Sequence, residues 1–249
     1  MTKLLKLSFL NVKNIVHSKG FIGLIIGAVI YSLVFFIAGN SRSLRLQTYS
    51  IEFGRFLYIA ILYGSVSILR GDIISNTTQA IFTGIFTRVE IMLSKLISLI
   101  LLGLIFYVMV EGDALLIGIL DYKKKGIDQF FKMPHFQTML VYIVLTFSMG
   151  TFMFLINSIV LKKAKNILFS ILILSAVNFN NGFIVTLAYR NPIFAEKISL
   201  YAKTPFYIWT DLFVSLSMKN VNIEQLLISI VYGLIFFGCA TFIIKQREM

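Results

Sequence analysis

At 249 residues, 58% hydrophobic and only 14% charged, the chain is far more apolar than a soluble globular domain. Its net charge of +12 would suggest a nucleic-acid partner in a soluble protein, but here Lys and Arg stand between long apolar runs and point to anionic lipid head groups instead. The length allows one membrane domain and leaves no room for a second, soluble one, and a lone cysteine, Cys239, excludes a disulfide framework within the chain.

Residues 1–19 are predicted to form an amphipathic interfacial helix. Leu4, Leu5, Phe9, Val12, Ile15 and Val16 share one arc, and Lys3, Lys6, Lys13, Asn14 and His17 share the other. Such a helix lies with its apolar side in the lipid and its lysines at the head groups. Residues 21–38 carry no charge and form the first span. That run is too long for a cleavable signal peptide and lacks a small-residue cleavage site after it. The second span is shorter of apolar residues. Residues 56–69 lie between Arg55 and Arg70 and would reach about 21 Å, against a hydrocarbon core of roughly 30 Å. Extending the span to residues 51–69 restores the length if Glu52 and Arg55 pair or snorkel at the outer interface.

Residues 70–95 are then the most polar interval between the early spans, yet they are neither Pro-rich nor of low complexity, so a folded element is expected. On a helical wheel Ile74, Thr78, Ile81, Phe82, Ile85 and Val89 fall on one side, with Asn76, Gln79, Thr83, Thr87 and Glu90 on the other. Gly84 interrupts the run, which favours two short helices joined at a hinge, an amphipathic hairpin at a membrane surface.

The third span is expected over residues 96–112. Beyond it stand Glu111 and Asp113, followed by a further apolar piece to Leu120. Either the helix ends near Glu111 or the acids sit in a kinked or re-entrant element, and the first is preferred because acids at a helix end commonly mark the water boundary. Lys123, Lys124, Lys125 and Lys132 mark a solvated loop. The fourth and fifth spans are residues 139–161 and 167–189. The fifth carries Asn178, Asn180 and Asn181, amides that are costly to bury alone. They bond to a neighbouring helix or line a candidate translocation path. Phe206, Tyr207 and Trp209 cluster as an aromatic belt would, placing the segment before the last span along the interface. Residues 226–244 close the set, giving an all-α integral membrane protein with six transmembrane helices.

Six spans put both termini on one side. The two sides hold nearly equal numbers of Lys and Arg, but with the termini inside, the shorter segments and the basic residues next to span ends fall inside, as the positive-inside rule asks. The localisation expected is the cell membrane, multi-pass, with both termini and the hairpin cytoplasmic. No G-x-x-x-x-G-K-[ST] and no H-E-x-x-H occurs, and two lone histidines with one cysteine give neither a metal site nor a catalytic constellation. No catalysis, no metal and no cofactor are expected of this chain.

The order of residues in the hairpin resembles the loop between the second and third membrane helices of ABC-2-type ABC transporter permeases. The matching positions are Asp72, Thr77, Thr78, Gln79, Thr83, Gly84, Thr87, Arg88 and Lys95. An N-terminal interfacial helix, six spans, a long segment before the last span and no ATPase of its own extend the likeness over the whole chain. The resemblance implies that the hairpin between spans two and three is a cytoplasmic coupling helix, docked on a separate P-loop ATPase subunit that holds ATP and Mg. Asp72 and Glu90 would then pair with basic residues of the ATPase, while Thr77, Thr78 and Gln79 supply hydrogen bonds. It also implies a second permease copy or homologue beside this one. Size and a Lys/Asn/Ile-rich, Pro-poor composition are similar to small permeases of Gram-positive bacteria that handle amphipathic peptides, the lantibiotic-immunity permeases and the exporters of phenol-soluble modulins. The function so implied is export of an antimicrobial or cytolytic peptide. The competing class is a non-transporting scaffold or pore-forming subunit, for which the hairpin is a surface loop.

Overall fold

A backbone in hydrocarbon must satisfy its own hydrogen bonds, and long apolar runs do so as helices. The computed structural model describes residues 2–39, 45–74, 87–121, 126–160, 164–218 and 221–246, and holds no strand among them. In chain order the helices are α1 (Thr2–Val16), α2 (Lys19–Gly39), α3 (Leu46–Ile74), α4 (Arg88–Leu120) and α5 (Gly126–Phe131). After these come α6 (His135–Val160), α7 (Ala164–Arg190), α8 (Pro192–Lys197), a 3₁₀ turn at Tyr201–Lys203, α9 (Pro205–Met218) and α10 (Ile223–Gln246). Six of them, α2, α3, α4, α6, α7 and α10, are long and apolar enough to cross a membrane. The chain is a multi-pass helical membrane protein.

Two helices make the core. The spanning parts of α3 and α6 are each 67% buried, whereas that of α2 is only 17%. α6 packs against α10, α4 and α3 in turn. Its approach to α4 is close because Gly103 has no side chain: a Cβ there would stand 2.9 Å from the Cα of Ile143. Small residues let membrane helices meet at the backbone in this way, where dispersion and hydrogen bonds supply the attraction that water cannot. The outer faces of α2 and α10, with Ile26, Ile30, Val34, Val231 and Leu234, are exposed and apolar, as a lipid-facing surface requires.

Four expectations change. The third span does not end near Glu111. Helix α4 runs without a break through Glu111 and Asp113 to Leu120, because both acids find partners on other helices. The Ser32 hydroxyl of α2 donates to Asp113 at 2.9 Å, and the imidazole of His135, first residue of α6, meets Glu111 at 2.8 Å. At 33 residues α4 is about 50 Å long, well beyond a core of roughly 30 Å, so it projects past the hydrocarbon. The second span begins earlier than residue 51, at Leu46. Glu52 and Arg55 do pair, at 3.0 Å, but about two turns inside Leu46–Leu69 instead of at its end.

The aromatic segment is not a surface belt. Helix α9 enters the bundle against α3, α6, α7 and α10, and Trp209 is fully buried, its indole N–H donating to Ser148 at 2.9 Å. Phe152 and Phe206 pack against the indole with ring centroids 5.7 and 5.4 Å away, and Phe236 backs Phe152 at 5.0 Å. A buried indole N–H needs a partner, and Ser148 of α6 supplies it. Finally, the apolar arc of α1 is divided. Ser8, Val12 and Ile15 are buried, α1 packing chiefly on α4, while Leu5, Phe9 and Leu10 are exposed.

Candidate functional site

Charged residues within spanning helices are expensive and persist where they pair and face a cavity. One such place stands out, a groove of about 190 Å³ between α2, α3 and α7. Tyr31 of α2, Arg55 and Tyr58 of α3, and Ser175, Asn178 and Phe179 of α7 line it. The i, i+3 spacing of Glu52 and Arg55 puts both on one face of α3, where they form the 3.0 Å ion pair. The Tyr31 hydroxyl donates to the second oxygen of Glu52 at 3.2 Å, so the carboxylate is held from two helices. Arg55 keeps 29% of its side chain exposed and Glu52 only 12%. The pair thus offers a guanidinium to the groove while its counter-ion stays behind it. Gly182 of α7 stands beside the guanidinium: a Cβ at this position would meet an Arg55 nitrogen at 3.4 Å, an ordinary contact.

The asparagines expected on a translocation path separate. Asn178 lines the groove, and its carbonyl accepts from the Thr210 hydroxyl of α9 at 2.7 Å. Asn181 is buried on the α9 side, donating to the Phe206 carbonyl at 3.1 Å and accepting from Tyr201 at 2.5 Å. Asn180 is exposed, beside the exposed Phe179 and Phe183. Two amides therefore tie α7 to the α9 region, and one of those two also faces the groove.

Of the expected coupling residues, Thr77, Thr78, Gln79, Thr83 and Gly84 lie outside the described residues. Asp72 falls in the last turns of α3 and Arg88 opens α4. Thr87 and Glu90 form a capping box. The Thr87 hydroxyl accepts from the Glu90 N–H at 3.2 Å, and the Glu90 carboxylate accepts from the Thr87 N–H at 2.7 Å. The Thr87 hydroxyl also donates to the Glu90 carboxylate at 3.0 Å, and these bonds give both residues a local task in fixing where the helix begins.

Sequence reasoning missed the seam that joins α1 to α4. Lys95 is fully buried, its ammonium donating to Asn11 at 3.1 Å. The Ser8 hydroxyl donates to the Ser94 carbonyl at 2.8 Å, and Ser98 donates back to the Ser8 carbonyl at 3.3 Å. The signal was present as Ser8 with Asn11 and Ser94 with Ser98, small polar residues at helical spacing on each element. A second cluster was also missed. Asp211 of α9 is buried and accepts from the Tyr189 hydroxyl and the Gln225 amide. Burial raises its carboxyl above the usual range despite those two bonds.

Among the described residues no group of three or more His, Cys, Asp or Glu is placed to hold a metal ion. No protein-family model matches the chain, and a search of curated proteins finds no match.

Proposed function

We propose that this chain is the membrane-spanning permease subunit of an ATP-driven ABC exporter, and that its cargo is an amphipathic peptide. The observation that carries the reading is the groove between α2, α3 and α7, where a guanidinium, a phenol and an amide meet apolar and aromatic walls within helices long and apolar enough to span a membrane. An amphipathic helix needs both kinds of surface: apolar walls for one face and fixed polar groups for the other. A second copy, or a homologue, set against the exposed face of α7 closes the groove into a path, and Asn180 then joins Asn178 along it. Supporting this arrangement, residues 70–95 resemble the coupling loop of ABC-2-type permeases, and both of its described ends continue spanning helices, α3 and α4.

In this mechanism the hairpin from Asp72 to Lys95 sits in the cytoplasm on a separate ATPase, which binds ATP and Mg. Closure of the ATPase pair pushes the hairpin, and the push passes into α3 and α4. Helix α3 carries Glu52 and Arg55, so movement along that helix alters the groove directly. The chain resides in the cell membrane with both termini cytoplasmic, exporting a peptide for secretion or self-immunity. The test is co-expression with candidate P-loop ATPase subunits and their capture by this chain from mild detergent, wild type against Asp72→Lys. Capture by wild type and loss in the variant support the reading. No capture by folded wild-type protein favours a non-transporting scaffold or pore-forming subunit.

A further inference from the structure

The polar groups of the groove between α2, α3 and α7 are not equally satisfied. Both oxygens of Glu52 are engaged, one by Arg55 Nη1 at 3.0 Å and the other by the Tyr31 hydroxyl at 3.2 Å. The rest of the guanidinium makes no further ion pair or hydrogen bond among the described residues. Its free edge is that of Nη2 and Nε. A Cβ built on Gly182 would meet Nη2 at 3.4 Å and Nε at 3.9 Å, so this edge is turned away from Glu52 and toward α7. Asn178 of α7 lines the same groove, its carbonyl taken by Thr210 and its amide N–H groups left over. The hydroxyl protons of Tyr31 and Ser175 are engaged already, that of Ser175 with the Ile171 carbonyl at 2.7 Å. None of the lining residues is an acid. Guanidinium donors left unpaired within a spanning helix are costly, and what this groove lacks is an acceptor.

We infer that the groove binds a carboxylate of the peptide cargo, which accepts from the Nη2 and Nε edge of Arg55 and from the Asn178 amide. The exporter reading supplies the cargo here, whereas the carboxylate follows from the groove itself. A guanidinium edge presents two parallel N–H donors, the fork that a planar carboxylate matches with both oxygens. A cationic group would meet Arg55 with like charge, and an amide offers the fork a single oxygen. Glu52 is bonded through both its oxygens, so the two carboxylates share Arg55 from different edges. Size points the same way. At about 190 Å³ the groove is smaller than the roughly 300–1,000 Å³ of small-molecule sites, so it takes one side chain or one chain end of a helical peptide, with apolar neighbours against Phe56, Ile59 and Phe179. Two sources supply the group: an Asp or Glu side chain, and the C-terminal carboxylate.

The experiment reads fluorescence anisotropy of amphipathic helical peptides binding to the full chain in phosphatidylcholine nanodiscs, with empty discs subtracted. The parent peptide carries Asp and Glu and a free C-terminus. Its matched forms have those side chains replaced by Asn and Gln, the C-terminus amidated, or both. Wild type should bind the doubly neutralised form about tenfold more weakly than the parent, the effect of a charge-assisted hydrogen bond, and the single change that reproduces the loss identifies the source. Glu52→Gln/Arg55→Gln should bind every form alike, at the weaker level. Arg55→Lys, which keeps the charge without the fork, should keep a preference of only about threefold. Equal binding of all forms by wild type, or a preference that persists in Glu52→Gln/Arg55→Gln, overturns the site. Displacement of the parent by phosphatidylglycerol in the discs, in wild type and not in the double variant, overturns the peptide assignment and gives the guanidinium to a lipid phosphate. ATP-driven transport is scored separately. Transport with no carboxylate preference in binding overturns this site and leaves the exporter reading standing, whereas carboxylate-dependent binding without transport does the reverse.

Discussion

Two polar regions of this protein contrast. At the α1–α4 seam, Ser8, Asn11, Ser94, Lys95 and Ser98 close on one another, with Lys95 sealed from solvent. In the groove between α2, α3 and α7, Tyr31 and Glu52 are also bonded, but Arg55 remains partly open beside Asn178 and Gly182. The seam spends its polar groups on joining two helices. The groove keeps one charge available. A polar cluster that is closed on itself positions elements, whereas one left open beside a cavity is equipped to meet something else.

The contrast breaks most sharply on charge. Neutralising the groove as Glu52→Gln/Arg55→Gln should leave folding and ATPase capture intact yet lower peptide transport by about tenfold, a typical coupling energy. Transport at the wild-type rate would return the pair to a packing role. At the seam the expected result is the opposite. Asn11→Leu should cost about 1–2 kcal/mol of stability by stranding part of the Lys95 bonding, with transport per folded molecule unchanged. Thermal unfolding in detergent beside a transport assay separates the two effects.

Neighbouring asparagines sharpen the point. Asn181→Leu loses bonds to Tyr201 and Phe206 and should destabilise by about 0.6–1.7 kcal/mol. Asn180→Leu, on the exposed face, should stay within about 0.5 kcal/mol of wild type.

The smallest effect is a pH trend from Asp211. Its carboxyl is raised in the folded protein, so the folded state holds its proton more tightly than the unfolded chain does. That contribution to stability is present below the unfolded carboxyl range and is lost as pH rises through the folded one. Asp211→Asn should therefore flatten the decline of melting temperature across mildly acidic pH. An unchanged pH profile would remove Asp211 from the account.

Much of the scaffold was legible because length and the absence of charge leave a membrane helix few alternatives. The expected spans over residues 21–38, 139–161, 167–189 and 226–244 correspond to α2, α6, α7 and α10 within a few residues. The misreadings share one physical cause: a partner distant in sequence. Glu111 and Asp113 looked like the end of a helix until His135 and Ser32 met them along an unbroken α4. Trp209 looked interfacial until Ser148 accepted its N–H. Lys95 looked like the start of a span until α1 folded over it. At the groove, the pairing of Glu52 with Arg55 was readable from their spacing. Their place opposite Asn178 and Gly182 was not, because it depends on how α7 lies against α3.

The central claim is tested most directly by ATP-dependent accumulation of a fluorescent amphipathic helical peptide in inside-out vesicles that hold this chain with its partner ATPase. The account predicts accumulation that requires ATP and both proteins, with no accumulation of a small hydrophilic solute. An assembled complex that moves no peptide with ATP, or that moves the hydrophilic solute instead, would contradict it.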